Sequence, residues 1–232
     1  MKIPPDWSDA VEIHYDTSHP WTDARLEIRR RPSAVSSDAQ LVRPPGSVPE
    51  PVFLDLCVRC GQCFQACPGP VLQPAGWDAP LEALWTPVAV MTHAGCHQEC
   101  NFCTQVCPTG AIRPLSLEEK KTTSMGLAVI DTKTCLPHTG QQDCRLCIDE
   151  CDAAGYRAIE LRRIKLPMDD IPEGIFSDME LEEMSRIEAP FINADACVGC
   201  GLCEYRCHAA LVKQQKSLTH SAIRVVAENA DR

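Results

Sequence analysis

Cysteines carry the chemistry of this chain. There are 16 in 232 residues, and they fall into four groups of four. These are Cys57, Cys60, Cys63 and Cys67; Cys96, Cys100, Cys103 and Cys107; Cys135, Cys144, Cys147 and Cys151; and Cys197, Cys200, Cys203 and Cys207. The first and fourth groups read C-x2-C-x2-C-x3-C, the second C-x3-C-x2-C-x3-C and the third C-x8-C-x2-C-x3-C. Two-residue gaps let a tight loop turn three thiolates toward three irons and leave backbone N–H groups free to bond sulfide. The fourth cysteine opens a short helix and points away from its own loop, toward a neighbouring cluster. All 16 are therefore candidate ligands of four [4Fe–4S] clusters, with none left over.

The first-group spacing is the bacterial ferredoxin run, and Pro68 and Pro108 close the first two groups as proline does there. Asp152 and His208 stand in that place after the other two. Three other chemistries fit the cysteines less well. A disulfide framework belongs to small secreted domains in an oxidising compartment. Structural zinc takes two separated C-x2-C knuckles per ion, whereas three-thiolate loops repeat here. Cys96-His-Gln-Glu-Cys100-Asn-Phe102-Cys103 matches a radical-SAM pattern. That chemistry needs one open iron, and Cys107 supplies a fourth thiolate. No nucleotide loop, flavin fingerprint or catalytic triad is present, so the chain reads as an electron carrier or oxidoreductase subunit without its own substrate site. His93, His97, His138 and His208 lie near the cysteines but are not needed as ligands.

The elements that must hold these loops are short. Strands are expected over 86–91, 111–115, 126–132, 158–164, 189–193 and 222–228, alternating with the cysteine groups in an α+β, ferredoxin-like plan with many loops. Ser116 with Glu119 and Ser177 with Glu180 form capping boxes that open two helices. Residues 1–50 read as a polar extension, with 41–51 a proline-rich linker and 51–232 the cluster-bearing domain. The 169–188 segment has eight acidic residues and one basic; it reads as a solvated helix face or as a docking patch. Regular spacing suggests nesting, with the first group joined to the fourth and the second to the third. An outer lobe would then use Cys57, Cys60, Cys63 with Cys207, and Cys197, Cys200, Cys203 with Cys67. The inner lobe would use Cys96, Cys100, Cys103 with Cys151, and Cys135, Cys144, Cys147 with Cys107, joined by a hairpin from Ala111 to Thr132. Sequential pairing is the alternative.

Composition narrows the partners. A net charge of −10 argues against nucleic acid, since that contact rests on Lys and Arg neutralising phosphates. Four clusters at about −2 each would take the loaded chain nearer −18, so redox protein partners with a basic docking surface are expected. The longest apolar run, Leu84–Met91, is too short to span a membrane. Arg29, Arg30 and Arg31 are followed by Pro-Ser-Ala-Val-Ser-Ser rather than an apolar stretch, so they read as a basic cluster and not an export signal.

From Leu41 to Glu228 the chain resembles the NapG/MauM family of ferredoxin-type proteins. The resemblance rests on Arg43-Pro-Pro-Gly46, Phe53-Leu54, Cys57-Val-Arg-Cys60-Gly-Gln-Cys63 and Leu84-Trp-Thr-Pro-Val88. It continues through Cys107-Pro-Thr-Gly-Ala-Ile112, Met125-Gly-Leu-Ala-Val-Ile-Asp131, the stretched third group and Asp195-Ala-Cys197-Val-Gly-Cys200-Gly-Leu-Cys203. It implies four [4Fe–4S] clusters that relay electrons from a membrane quinol-oxidising partner to a redox enzyme, or a part in enzyme maturation. An electron-transfer subunit of a larger molybdoenzyme complex is the other role such a chain could fill. A periplasmic or membrane-associated setting follows from the resemblance, and a cytoplasmic one from the lack of an export signal.

Overall fold

The computed structural model describes residues 41–165 and 186–227. The Ser177 helix, the acidic 169–188 segment save its last three residues, and residues 1–40 lie outside them. The compact unit that carries all 16 cysteines runs from Gln40 to Arg232. Its elements are α1 (Glu50–Leu56), α2 (Gln62–Ala66), β1 (Leu72–Pro74), a 3-10 turn (Leu81–Ala83), β2 (Pro87–Ala89), α3 (Phe102–Gln105), α4 (Leu117–Thr122), β3 (Leu127–Ile130), α5 (Leu146–Ala153), β4 (Ile159–Lys165), β5 (Arg186–Ile192), α6 (Leu202–Cys207) with a π-helical extension (His208–Gln214), and β6 (Ile223–Val226).

These elements build two lobes on one plan. In the first, the segment before α1 returns to the residues after the second cysteine group through a Ser47–Ile112 antiparallel bridge, and β1 pairs with β2 between the two groups. In the second, β3 pairs with β6 around the outside and β4 with β5 inside, all antiparallel. Each lobe thus wraps an inner hairpin and two cysteine groups within an outer strand pair. Two small cores follow: Phe53, Leu72, Met91 and Ile112 in the first lobe, and Leu136, Ile148, Ile159, Leu211 and Ile223 in the second.

The nested pairing of groups is corrected. Groups one and two share the first lobe, and groups three and four share the second. The hairpin expected from Ala111 to Thr132 does not form, because Ile112 bridges Ser47 and Leu127–Ile130 pairs with Ile223–Val226. Cysteine spacing sets the shape of each loop but carries nothing about which distant strand completes a lobe.

Residues 41–51 are also not a free linker. Arg43, 8% exposed, places its guanidinium 4.5 Å over the Phe53 ring. Its Nη1 donates to Thr86 Oγ1 at 2.8 Å and to the Pro87 carbonyl at 2.7 Å, and its Nε to Glu50 Oε2 at 2.8 Å. Pro44 and Pro45 are buried. Gly46 sits at φ +81°, where a Cβ would come within 2.8 Å of the Arg113 carbonyl oxygen; only glycine fits that approach. The prolines stiffen a strand-like edge instead of solvating a tether.

Ser116 caps its helix as read, but the Glu119 carboxylate pairs with Arg113 at 2.6 Å in place of closing the box. Ser116 Oγ accepts from the Glu119 N–H at 3.1 Å and opens α4, which links the lobes. The lobes meet backbone to backbone. The Cys96 N–H donates to the Cys200 carbonyl at 2.7 Å, and the Met125 N–H to the Val198 carbonyl at 2.9 Å. Gly199, at φ +65°, stands so close to Gly126 that a Cβ would lie 2.3 Å from its carbonyl oxygen.

Candidate iron–sulfur centre

Each lobe gathers its cysteines across the two groups it contains. A cavity of about 380 Å3 in the first lobe is lined by Cys57, Cys60, Cys63 and, from the other group, Cys107. A matching cavity of about 350 Å3 in the second lobe is lined by Cys197, Cys200, Cys203 and Cys151. The remaining cysteines meet in the same crossed manner. Cys103 feels the charges of Cys96, Cys67 and Cys100, and Cys147 those of Cys144, Cys135 and Cys207. The order of neighbouring sets along the molecule is first, second, fourth, third, with the Cys96–Cys200 backbone bond joining the middle two.

The helices explain the crossing. In the first and fourth groups three cysteines lie in or just before a helix of five or six residues, and the fourth closes it. The third group needs its long gap because residues between Cys135 and Cys144 fold back onto the inner hairpin. Leu136 is buried, and the His138 ring stacks edge-on to Phe191 at 5.1 Å with Nε2 2.9 Å from the Pro190 carbonyl oxygen. Asp131 and Asn193 start the third and fourth loops alike. Each side-chain oxygen accepts the N–H two residues on, at 3.0 and 3.2 Å, and each carbonyl accepts from the following cysteine, Cys135 at 2.9 Å and Cys197 at 3.1 Å.

The donor chemistry fits a multi-iron cluster. Burial pushes the Cys63, Cys135 and Cys200 thiols up to about 11, with neighbouring cysteines adding to the shift. Cys103 and Cys147 reach about 12 for the same two reasons, and Cys203 is driven well above the ordinary range. Acid groups crowded into one apolar cavity ionise together only around a strong positive charge. Cys107 runs the other way. Burial raises it, but the N–H groups of Ile112, Thr109 and Gly110 and the Thr109 hydroxyl outweigh that and hold it below the ordinary thiol range. Ala158 N–H donates to Cys151 Sγ at 3.2 Å, as Ile112 N–H does to Cys107 Sγ at 3.4 Å. The two crossing cysteines thus receive the same kind of bond, one that stabilises thiolate.

Two contributors were not visible in the sequence. Tyr156 lines the second-lobe cavity, and its phenol is pushed up by burial and then by Cys200, Cys96 and Cys151. It therefore stands where the second and fourth sets adjoin. Lys120, read only as part of a capped helix, is buried and reaches the His97 carbonyl beside Cys96. None of the four histidines, His93, His97, His138 and His208, is among the residues lining either cavity. His208 Nδ1 is buried with no hydrogen-bond partner among the described residues.

Known proteins share these features. Residues 142–211, which span most of groups three and four, match the model for a 4Fe-4S dicluster domain, and residues 50–73 that for a 4Fe-4S binding domain. A methylamine utilization ferredoxin-type protein MauM from Methylophilus methylotrophus is 34% identical over 175 residues, 73% of this chain and 67% of that protein. MauM from Methylobacillus flagellatus is 32% identical over 201 residues, 86% and 72% of the two chains. The ferredoxin-type protein NapG of Escherichia coli is 36% identical over 171 residues, 72% and 65%. With its cysteines folded into two crossed lobes, this chain belongs to the family of 4Fe–4S ferredoxin-type proteins that includes MauM and NapG.

Proposed function

We propose that the chain is a four-cluster electron relay. Its ligand sets are Cys57, Cys60, Cys63 with Cys107; Cys96, Cys100, Cys103 with Cys67; Cys135, Cys144, Cys147 with Cys207; and Cys197, Cys200, Cys203 with Cys151. A bound [4Fe–4S] cluster supplies reversible one-electron transfer. The protein's own residues position the sets in sequence, bury seven of the 16 cysteines, and bond Cys107 and Cys151 through backbone N–H groups. The observation that carries this reading is the crossing itself, in which Cys107 joins the first loop and Cys151 the fourth.

Entry and exit follow from exposure. Cys60 is the one exposed cysteine of the 16. Val58 and Trp85, 62% and 61% exposed, flank it, so the first set is the point nearest an external partner. With −10 net charge on the chain, that partner is a redox protein with a basic rim, such as a quinol-oxidising membrane subunit on one side or a reductase on the other. Anaerobic iron and sulfide counting with EPR potentiometry tests this. About sixteen Fe per chain with reducible low-temperature signals supports the relay. Zinc in the sites with no such signal overturns it, and about eight Fe overturns the fourfold count.

A further inference from the structure

Lys120 is out of place for a lysine. It lies in the last turn of α4, and its neighbour Lys121 behaves as expected there, exposed and 3.3 Å from Glu118. Lys120 instead is 3% exposed. Its Nζ donates to the His97 carbonyl, one residue from Cys96, and from there its positive charge favours the Cys96 thiolate. Among the described residues no carboxylate pairs with it. A buried ammonium is costly unless a counter-charge meets it. A neutral carbonyl does not supply one, whereas a thiolate set carrying net negative charge does.

We infer that Lys120 is a potential-setting residue: its buried ammonium is the counter-ion of the second ligand set, Cys67, Cys96, Cys100 and Cys103, and raises that set's reduction potential. The inference rests on the four-cluster reading above. Its sign follows from Coulomb's law, because a fixed positive charge in a poorly screened site favours the more negative, reduced state. The lever acts on one set. Lys120 bonds into the second loop alone, and that set lies inside the row, between the first and the fourth. The residue therefore makes an interior position the favoured resting place of an electron.

The test uses the full, cluster-loaded chain and EPR-monitored redox titration. Lys120→Gln keeps a donor for the His97 carbonyl but removes the charge, Lys120→Met removes both, and Lys120→Arg keeps the charge. The Gln and Met variants are expected to move one couple of the four to more negative potential by at least a tenfold change in its equilibrium, 59 mV for one electron. The Arg variant should stay near wild type. Full iron content with all couples unmoved in the Gln variant overturns the proposal. Should neither neutral variant load, wild-type protein labelled with [15N]lysine decides by pulsed EPR. Nitrogen coupling to one reduced cluster supports the assignment, and its absence from every cluster overturns it. Failure of the parent reading would look different, as too little iron or as zinc in the wild-type chain.

Discussion

The Cys96 N–H donates to the Cys200 carbonyl across 2.7 Å, so a ligand loop of the first lobe is hydrogen-bonded directly to a ligand loop of the second. No side chain intervenes in that bond. Close contact at this point makes one row of two lobes that could each have stood alone, and it rests on the adjoining Gly126–Gly199 approach.

Gly199→Ala should open that junction. The new methyl would sit 2.3 Å from the Gly126 carbonyl oxygen, on a residue at φ +65°. Left-handed strain and overpacking together predict a loss of about 2–4 kcal/mol. Denaturant midpoints should report the loss. EPR of the reduced protein should show weaker spin–spin coupling between the lobes with iron content retained.

Crossed ligation predicts non-additive cysteine losses. Cys57→Ser and Cys107→Ser each remove a ligand of one set, so the double variant should lose no more iron than either single one. Cys57→Ser with Cys207→Ser touches two sets and should lose about twice as much. Nested pairing would reverse these two results, and iron analysis of the purified variants separates them.

Cluster loading should release protons and favour alkaline conditions. The Cys103 and Cys147 thiols, pushed up to about 12 by burial and neighbouring cysteines, are protonated at neutral pH when no iron is bound. Ligation requires the thiolate, so their protons must leave on loading. Reconstitution of the apoprotein with iron and sulfide should therefore strengthen from pH 6 to pH 9 and weaken as pH falls. Proton release into a weakly buffered solution gives the count.

Arg43→Ala should loosen the first lobe. The change takes away a charge pair with Glu50, two bonds into the Thr86–Pro87 corner and the stack on Phe53. With Arg43 buried and Glu50 partly exposed, about 2–4 kcal/mol is expected. Thermal unfolding of the loaded protein should show it, with cluster loss from the first lobe preceding that from the second.

Arg59→Ala should expose the first set. Its Nε and Nη2 donate to the Leu84 and Glu82 carbonyls at 2.9 and 2.7 Å and clamp the Trp85 loop against the cysteine loop. Without the clamp, one cluster should bleach in air severalfold faster than the rest, followed by absorbance and EPR.

Much of the site was legible from spacing because a cysteine loop is a local object. Cys57 to Cys67 fixes its own turn and short helix whatever surrounds it. The Ser116 cap and the strands around Ile159 and Ala189 were legible for the same reason. What escaped was non-local. Arg43 looks solvated among prolines until Phe53, Thr86 and Pro87 are placed around it. Lys120 and Lys121 are indistinguishable in sequence, and only the second cysteine loop decides which is buried. Lobe pairing turned on Leu127 meeting Val226, a choice that the regular spacing of groups one and four does not encode. Leu72–Pro74 escaped because three residues ending in proline give no strand signal.

The strand pairs also set an order of assembly. The Ser47–Ile112 bridge completes the first lobe as soon as residue 112 is available. The β3 strand must wait for Ile223–Val226, about a hundred residues later. During synthesis the first lobe can therefore close and mature while the second is still an open set of thiols, and contacts of such long sequence separation form slowly. The second lobe is the vulnerable one in that interval. Its cysteines would need protection from oxygen and stray metal until the final strand arrives.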